Sequence, residues 1–453
     1  MSRETLTSTT AALLLALATL HCAEPQPTWT TSSPAAREEF LKGLEAERKN
    51  YATEAMQHFQ RAIQLDPAFA MPKAMLLPFP ISPEQKQELA AELKEVDLST
   101  LQPQERFPVQ YRQIGLEDDE DKINQFLDEQ LQERPNDPFV LEAKAFRCYQ
   151  MEMPKQAEAL YLRLIEVEPN WAMAHNHLGY IAMEEGDFAT AEKRFRTYQF
   201  IAPDQANPHD SMAELLVLIG RYDEARGELE TALRLRPDFA PSLVQLIQMS
   251  LQDADLPGAE AALERLDALH REYSWPGTDV ATQSCRVETW RGFLTGDWES
   301  VWKLFAEQCP QHPGADGLWM LYQAALVTGR RQEADQLLAG AEEELQAKWK
   351  TMGSASDRNW RQAIVEHLHG LESAADGDLP AAVEYLRAAD RTLTYHNGVT
   401  GLLKLLNLLT LARAQETNGE KQQAAATLKE VERVNPRMLK LYDRITLPLA
   451  HQQ

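Results

Sequence analysis

The sequence is poor in positive charge, in cysteine and in long apolar runs. Its 453 residues hold 45 Lys and Arg against 69 Asp and Glu, which gives a formal net charge of −24. Proteins that bind nucleic acid need a basic stripe against the phosphates, so this charge argues against such a ligand. No run reaches the roughly 18 apolar residues that a membrane-spanning helix requires, so none is expected beyond the N-terminus.

Sequence motifs for catalysis are also missing. The chain has no Gly-rich phosphate loop, no nucleophile elbow and no metalloprotease motif. His175 and His177 are two residues apart, as are His367 and His369, so on a helix each pair points to nearly opposite faces and cannot chelate one ion. We therefore expect no enzyme, no cofactor and no metal site.

The N-terminus has the features of an export signal. Residues 11–20 form an apolar run that is too short to span a bilayer but suits a signal peptide, which we place at residues 1–23. Cys22, just after the run, resembles the lipidated cysteine of bacterial lipoproteins; simple cleavage near Ala23 is the alternative. Residues 24–35, rich in Pro, Thr and Ser, predict a flexible spacer. The protein is thus expected to be periplasmic or a lipoprotein anchored to the membrane only by this lipid, and it is cytoplasmic if the segment is not cleaved.

The chain has only 4 cysteines. Cys285 and Cys309 fall near the outer ends of two successive predicted helices, where antiparallel packing would bring them together. In an exported protein they would form a disulfide, and two buried free thiols are the alternative. Cys148 lies on a predicted helix and is interpreted as a core residue.

A repeat with a period of 34 residues organises the middle of the chain. Two sets of residues keep this step: Pro135, Pro169, Pro203 and Pro237, and Ala157, Ala191, Ala225 and Ala259. Proline cannot continue a helix, so each proline sets the turn into the next unit. Gly186 and Gly220 precede the second helix of their units, where a left-handed turn residue is needed.

The pattern resembles the tetratricopeptide repeat, a pair of antiparallel helices. The first unit carries the small, aromatic and helix-stopping residues of that family at Gly43, Ala55, Phe59, Ala62 and Pro67. Small side chains let two helices approach closely, and an aromatic ring fills the space beside them. The resemblance implies an all-α fold, a right-handed α-solenoid superhelix of stacked helix pairs.

The resemblance also sets the predicted domain organisation. We expect a tetratricopeptide array over 36–273, a looser array over 274–436 and a capping helix with a tail over 437–453. Residues 274–281 break the phase between the two arrays. Residues 98–106 resemble the repeat regions that follow bacterial Ser/Thr kinase domains, although no kinase motif accompanies them. Exported tetratricopeptide lipoproteins are the other group that the chain resembles.

Repeat arrays of this family bind peptides or partner proteins in the concave groove formed by their first helices. Counting from the small residue of each unit, we predict that the groove is lined by Glu142, Phe146, Tyr149, Asn176, Tyr180, Met183, Asp210 and Glu214. Acidic residues stand where the family's carboxylate-binding clamp has lysine and asparagine. The partner is therefore expected to present an apolar or basic segment to a non-catalytic scaffold. The alternative is that these side chains pack within the superhelix or simply face water.

Tryptophan is concentrated in the C-terminal array, which suggests a function of another class. Trp290, Trp298 and Trp302 would line a small-ligand or glycan site if they enclosed an apolar pocket. In that case the protein would be a sensor or accessory subunit. A long open groove through Phe146, Tyr149 and Tyr180 would instead favour the scaffold.

Overall fold

The structure is a computed structural model that describes residues 28–117, 119–151, 153–273, 280–307, 309, 314–348, 355–395 and 398–449. The predicted signal peptide with Cys22, and most of the phase break at 274–281, lie outside the described residues. The chain divides into two compact units, the first over residues 28–47 and 52–123 and the second over 48–51 and 124–449. Throughout the described residues the regular structure is helical, so the predicted all-α solenoid fold is confirmed.

The first unit contains the first five α-helices and the start of α6 (Glu120–Glu133). Its helices are α1 (Pro34–Arg48), α2 (Ala52–Leu65), α3 (Ala70–Leu76), α4 (Pro83–Lys94) and α5 (Pro103–Gly115), with a 3-10 helix at Leu98–Thr100. Its core is built on Phe40, Phe59 and Phe69, all fully buried. Phe59 lies against Gly43, where an added Cβ would be only 2.5 Å from the ring, so α1 and α2 approach closely.

Part of the predicted spacer lies against α5. The Thr30 backbone N–H donates to Glu105 Oε1 at 3.1 Å, and the Gln102 N–H donates to Glu105 Oε2 at 2.9 Å. Glu105 is fully buried, and these donors compensate its desolvation. Residues 28–31 are therefore tied to the N-terminus of α5.

The second unit continues the succession of helix pairs. Its α-helices are α7 (Pro138–Gln150), α8 (Pro154–Val167), α9 (Ala172–Glu184), α10 (Phe188–Ile201), α11 (Ala206–Leu218), α12 (Tyr222–Leu235), α13 (Ala240–Gln252), α14 (Leu256–Tyr273), α15 (Val280–Thr295), α16 (Trp298–Glu307), α17 (Gly314–Val327), α18 (Arg331–Lys348), α19 (Ala355–Ala375), α20 (Leu379–Thr392), α21 (Gly398–Thr417) and α22 (Lys421–Val434). Gly186 and Gly220 have φ of 77° and 75°, which confirms the left-handed turns predicted between the paired helices.

One hydrophobic core runs through most of the second unit, from Ala182 to Leu447. Trp290, Trp298 and Trp319 are among its buried members. This core crosses the sequence position where the two arrays were expected to meet. The boundary at residue 274 stays a prediction, because the residues around it are not described.

Helix α21 packs against α11, far from it in sequence. The Gly398 N–H donates to Glu214 Oε1 at 2.5 Å. One turn later, an added Cβ on Gly401 would lie 2.6 Å from Leu218 Cδ1, so the two helices are in close contact. A carboxylate at the N-terminus of α21 satisfies a free N–H and interacts favourably with the helix dipole.

The segment after α22 returns to the turns of the middle repeats. Residues Pro436–Arg444, at the start of the segment 437–453 predicted as a capping helix and tail, form a 3-10 helix that buries Met438 and Leu441. Asn435 Nδ2 donates to the Val217 carbonyl at 3.1 Å. Arg437 pairs with Asp253 at 3.1 Å. The segment after α22 thus contacts Val217 on α11 and Asp253 just after α13, both far earlier in the chain.

Cys285 and Cys309 are joined in a disulfide, with their Cα atoms 6.2 Å apart. Cys285 lies on α15 and Cys309 follows α16, so the bond closes this helix pair. Cys148 is a buried free thiol. Among the described residues, no helix combines the length and apolarity that crossing a bilayer requires.

The close approach of paired helices should make a methyl group costly at Gly179. An added Cβ there would lie 2.5 Å from Phe195 Cε1, so we expect Gly179→Ala to lower the free energy of unfolding by about 1–3 kcal/mol. Urea denaturation followed by circular dichroism measures this change. The control is Gly227→Ala, where an added Cβ meets nothing within 4 Å. It should stabilise α12 by about 0.5–1 kcal/mol, and equal effects of the two changes would contradict the packing argument.

The disulfide should stabilise the α15–α16 pair measurably. It closes a loop with a sequence separation of 24, so replacing both cysteines by serine should lower the free energy of unfolding by up to about 3 kcal/mol. Thermal unfolding with and without dithiothreitol checks this. Reductant should lower the Tm of the wild-type chain and leave that of the double variant unchanged. A wild-type Tm that ignores reductant, together with labelling of both thiols, would refute the pairing.

Candidate functional site

The eight residues predicted to line the groove lie on α7, α9 and α11. We call the surface formed by these three helices the first-helix face. The structure separates the eight residues into a buried, internally bonded set on α9 and α11 and a more exposed set on α7. The two sets therefore differ in how much of their surface a partner could contact.

Asp210 on α11 is bonded to the next repeat. It is only 7% exposed, and it accepts hydrogen bonds from Ser242 Oγ at 2.7 Å and Gln245 Nε2 at 2.9 Å, both on α13. Burial raises the pKa of Asp210 to about 7, and the neighbouring charge of Glu214 adds to the rise. Asp210 therefore joins two repeats rather than facing a partner.

Glu214 also accepts hydrogen bonds from within the second unit. Besides the Gly398 N–H, it accepts a hydrogen bond from the Tyr180 hydroxyl at 2.7 Å. Burial and the carboxylate of Glu214 raise the pKa of Tyr180 well above its usual value, so the hydroxyl is a donor. Tyr180 and Glu214 hold α9, α11 and α21 together.

Met183 and Asn176 are buried on α9. Met183 is fully buried and belongs to the hydrophobic core. Asn176 is 5% exposed, and its Oδ1 has no hydrogen-bond partner among the described residues. A buried acceptor without a partner costs free energy, and because Asn176 Oδ1 is buried it is not open to a partner protein.

An exposed aromatic patch remains on α7 and at the start of α9. Phe146 is 40% exposed and Phe139 is 54% exposed. Phe139 meets Trp171 edge to face at 5.4 Å, and Trp171 Nε1 donates to Glu142 Oε1 at 2.9 Å. Burial raises the pKa of Glu142. We define the α7 patch as Phe139, Glu142, Phe146 and Trp171.

His177 supports this patch from behind. Its ring stacks on Tyr161 at 5.0 Å and lies 5.6 Å from Phe146 and 5.9 Å from Tyr149. Desolvation lowers the pKa of His177 to about 4, so it is neutral at pH 7. Burial likewise raises the pKa of Tyr149. These packed rings fix the position of Phe146.

Counting along the helices missed Phe139, Trp171 and His177. Phe139 precedes Phe146 by seven residues and so shares its helix face, a signal that was present in the sequence. Trp171 stands just before α9, outside the positions that were counted. His177 was considered only as a metal ligand, which hid its role as an aromatic ring.

Three described tryptophans of the C-terminal array, Trp290, Trp298 and Trp319, are core residues. Trp290 is 1% exposed and Trp298 is 7% exposed, so neither offers a ring face to a ligand. Trp302 is partly buried under the guanidinium of Arg330, 5.5 Å from its ring centre. Within the described part of the chain, no three His, Cys, Asp or Glu residues are grouped so that they could hold a metal ion.

Comparison with known proteins identifies the repeats. Sequence profiles of the tetratricopeptide repeat match residues 149–206 and 40–69. The human cell division cycle protein 16 homolog is 24% identical over 155 residues, covering 32% of this chain and 25% of that protein. Mouse superkiller complex protein 3 is 22% identical over 178 residues, covering 39% of this chain and 11% of that protein. The chain thus spans a quarter or less of the length of these relatives.

One solved structure that the chain matches is a tetratricopeptide repeat protein from Parabacteroides merdae. It is 15% identical, with a TM-score of 0.37, and the match covers 60% of this chain and 98% of that one.

The buried Asp210 should make stability depend on pH in a defined direction. Its pKa is about 7 in the folded chain and about 4 when unfolded, so the folded state binds the proton more tightly. This preference is lost as pH rises from about 4 to about 7. Over that range the free energy of unfolding of Asp210→Asn should therefore rise relative to wild type, by about 1–4 kcal/mol.

Urea unfolding of both chains across this pH range measures the difference. Asp204→Asn is the charge-matched control, because Asp204 is exposed. A difference between wild type and Asp210→Asn that stays constant with pH would show that Asp210 does not titrate in this window.

Proposed function

Because the chain is a tetratricopeptide-repeat protein, we propose that it is a non-catalytic scaffold that binds an apolar or basic segment of a partner protein on the α7 patch. The exposure of Phe139 and Phe146 beside Glu142 carries this proposal. Large exposed aromatic side chains on a fixed surface are the usual anchors of protein interfaces. The proposed site is the α7 end of the predicted groove.

The rest of the predicted groove is used internally, which favours this end. Asp210 and Glu214 accept hydrogen bonds from donors on α13, α9 and α21. Met183 lies in the core. Asn176 is 5% exposed and its Oδ1 is buried, so it offers no acceptor to a bound segment.

The chemistry of the α7 patch defines the class of partner. Two exposed phenyl rings favour apolar side chains, and the faces of such rings also attract a positive charge. The net charge of −24 repels acidic segments and attracts basic ones at long range. An amphipathic segment with both apolar and basic residues meets these requirements.

We also propose that the chain is exported. The apolar run at 11–20 and the Cys285–Cys309 bond support this location, since disulfides persist in oxidising compartments. Lipidation at Cys22 belongs to the same proposal. Mass spectrometry of the protein purified from its native cells tests it: a chain that starts at Met1 with reduced Cys285 would contradict export.

Site-specific photo-crosslinking tests the scaffold proposal. A photoreactive phenylalanine at position 146 should capture a partner in the native cell, whereas the same residue at position 200 should not. Phe200 is a matched control, because it is 84% exposed but lies on α10, a second helix. Capture at both positions, or only at 200, would contradict a site on the α7 patch.

Once a partner is captured, its affinity gives a second measurement. Phe146→Ala should weaken binding by about tenfold or more, as expected for an aromatic anchor at an interface. Phe200→Ala should leave the affinity unchanged. Circular dichroism must show that both variants remain folded.

A further inference from the structure

A cleft lies in the C-terminal part of the second unit, between α18, α19 and α20. Its volume is about 640 Å³. Leu345, Val365 and Ala388 supply apolar walls, and the remaining lining side chains are mostly polar or charged. The cleft belongs to different helices from the α7 patch, so it is an independent site.

An aromatic ring is fixed at the wall of this cleft. Tyr385 is 40% exposed, and its ring stacks on His369 with centroids 5.1 Å apart. His369 is itself held on both sides, with Nε2 2.9 Å from Glu342 Oε1 and Nδ1 3.3 Å from Glu372 Oε2. The stacking limits the freedom of Tyr385, so a ligand that packs on its ring pays little ordering entropy.

Glu366 and Glu384, two of the carboxylates that line the cleft, have no basic partner among the described residues. Glu366 accepts hydrogen bonds from neutral donors, Gln362 Nε2 at 3.2 Å and Thr392 Oγ1 at 3.3 Å. Glu384 is exposed and has no ion-pair or hydrogen-bond partner among the described residues. A cation in the cleft would therefore meet two carboxylates that no basic side chain neutralises.

Arg391 marks the limit of this acidic region. It lines the cleft on the same helix as Tyr385, about 9 Å further along the helix axis. It too has no carboxylate partner among the described residues. A cationic group is favoured near Tyr385 and opposed near Arg391. A ligand should therefore bind with its positive charge at the Tyr385 end of the cleft.

We propose that this cleft binds a lysine or arginine side chain from an extended, basic segment of a partner protein. The cation lies over the Tyr385 ring, where cation–π attraction and the charges of Glu366 and Glu384 act together. The apolar walls cover the aliphatic part of the same side chain. This site does not depend on the α7 patch.

Fluorescence anisotropy at low ionic strength provides the test, with the full chain and a labelled (Gly-Arg)3 peptide as probe. The (Gly-Gln)3 peptide has the same backbone without charge and should not bind. Tyr385→Ala should weaken binding of (Gly-Arg)3 by about five- to tenfold, and Tyr385→Phe should retain it. Circular dichroism of the variants establishes that they are folded.

Charge variants separate the cleft from general attraction to an acidic protein. Glu384→Gln should weaken binding by about threefold, and Arg391→Gln should strengthen it by a similar factor. Glu343→Gln is the matched control, because Glu343 is an exposed neighbour on α18 that does not line the cleft. It changes the net charge equally and should have a much smaller effect.

Three results would overturn the proposal. Absence of (Gly-Arg)3 binding would do so, as would unchanged affinity in Tyr385→Ala. Equal effects of Glu343→Gln and Glu384→Gln would show that the peptide senses only the overall charge. Loss of the α7 interaction in Phe146→Ala, with peptide binding here retained, would leave this site standing.

Discussion

The close contact between a small residue on a first helix and a ring on its partner helix governs this structure. Gly43 with Phe59 and Gly179 with Phe195 show the same geometry in the two units, with ring carbons 2.5 Å from an added Cβ. Such a contact fixes the distance between paired helices and the rotation of each about its axis. Once the distance and rotation are fixed, every other side chain of the helix faces its partner helix, the next repeat or solvent.

These side-chain orientations explain why only part of the first-helix face is open to a partner protein. On α11 the positions beside the small residue meet the next repeat through Asp210 and meet α21 through Glu214. On α7 the equivalent positions differ: Glu142 is bonded to Trp171 of the next repeat, and Phe146 stays 40% exposed. The same repeat position therefore contributes to folding in one repeat and leaves an exposed surface in another.

The sequence was sufficient for the local part of the structure. Helix pairing, the turn glycines and the closeness of small and aromatic residues follow from patterns within about 34 residues, the length of one repeat. Two contacts of α11 are not local: Glu214 and Gly398 are separated by 184 residues, and Val217 and Asn435 by 218. No periodic pattern encodes such pairs, because each involves one position in one repeat.

The α7 patch was predicted only in part for a related reason. Phe146 and Glu142 follow from the position of the small residue in the repeat. Trp171 contributes through its hydrogen bond to Glu142, which depends on how the end of one repeat meets the start of the next. A rule that counts within one helix does not contain that geometry.

The two proposed sites share a chemical arrangement that total charge alone would not provide. At each site an exposed ring packs against a histidine, Phe146 on His177 and Tyr385 on His369, with a carboxylate nearby. Long-range attraction from a charge of −24 acts on any basic chain and is screened by salt. A ring held in place by its neighbours acts only at contact, so it distinguishes a segment that can place a side chain against it from one that is merely basic. Specificity in this protein should therefore come from the fixed rings, and the acidic surface should mainly accelerate encounter.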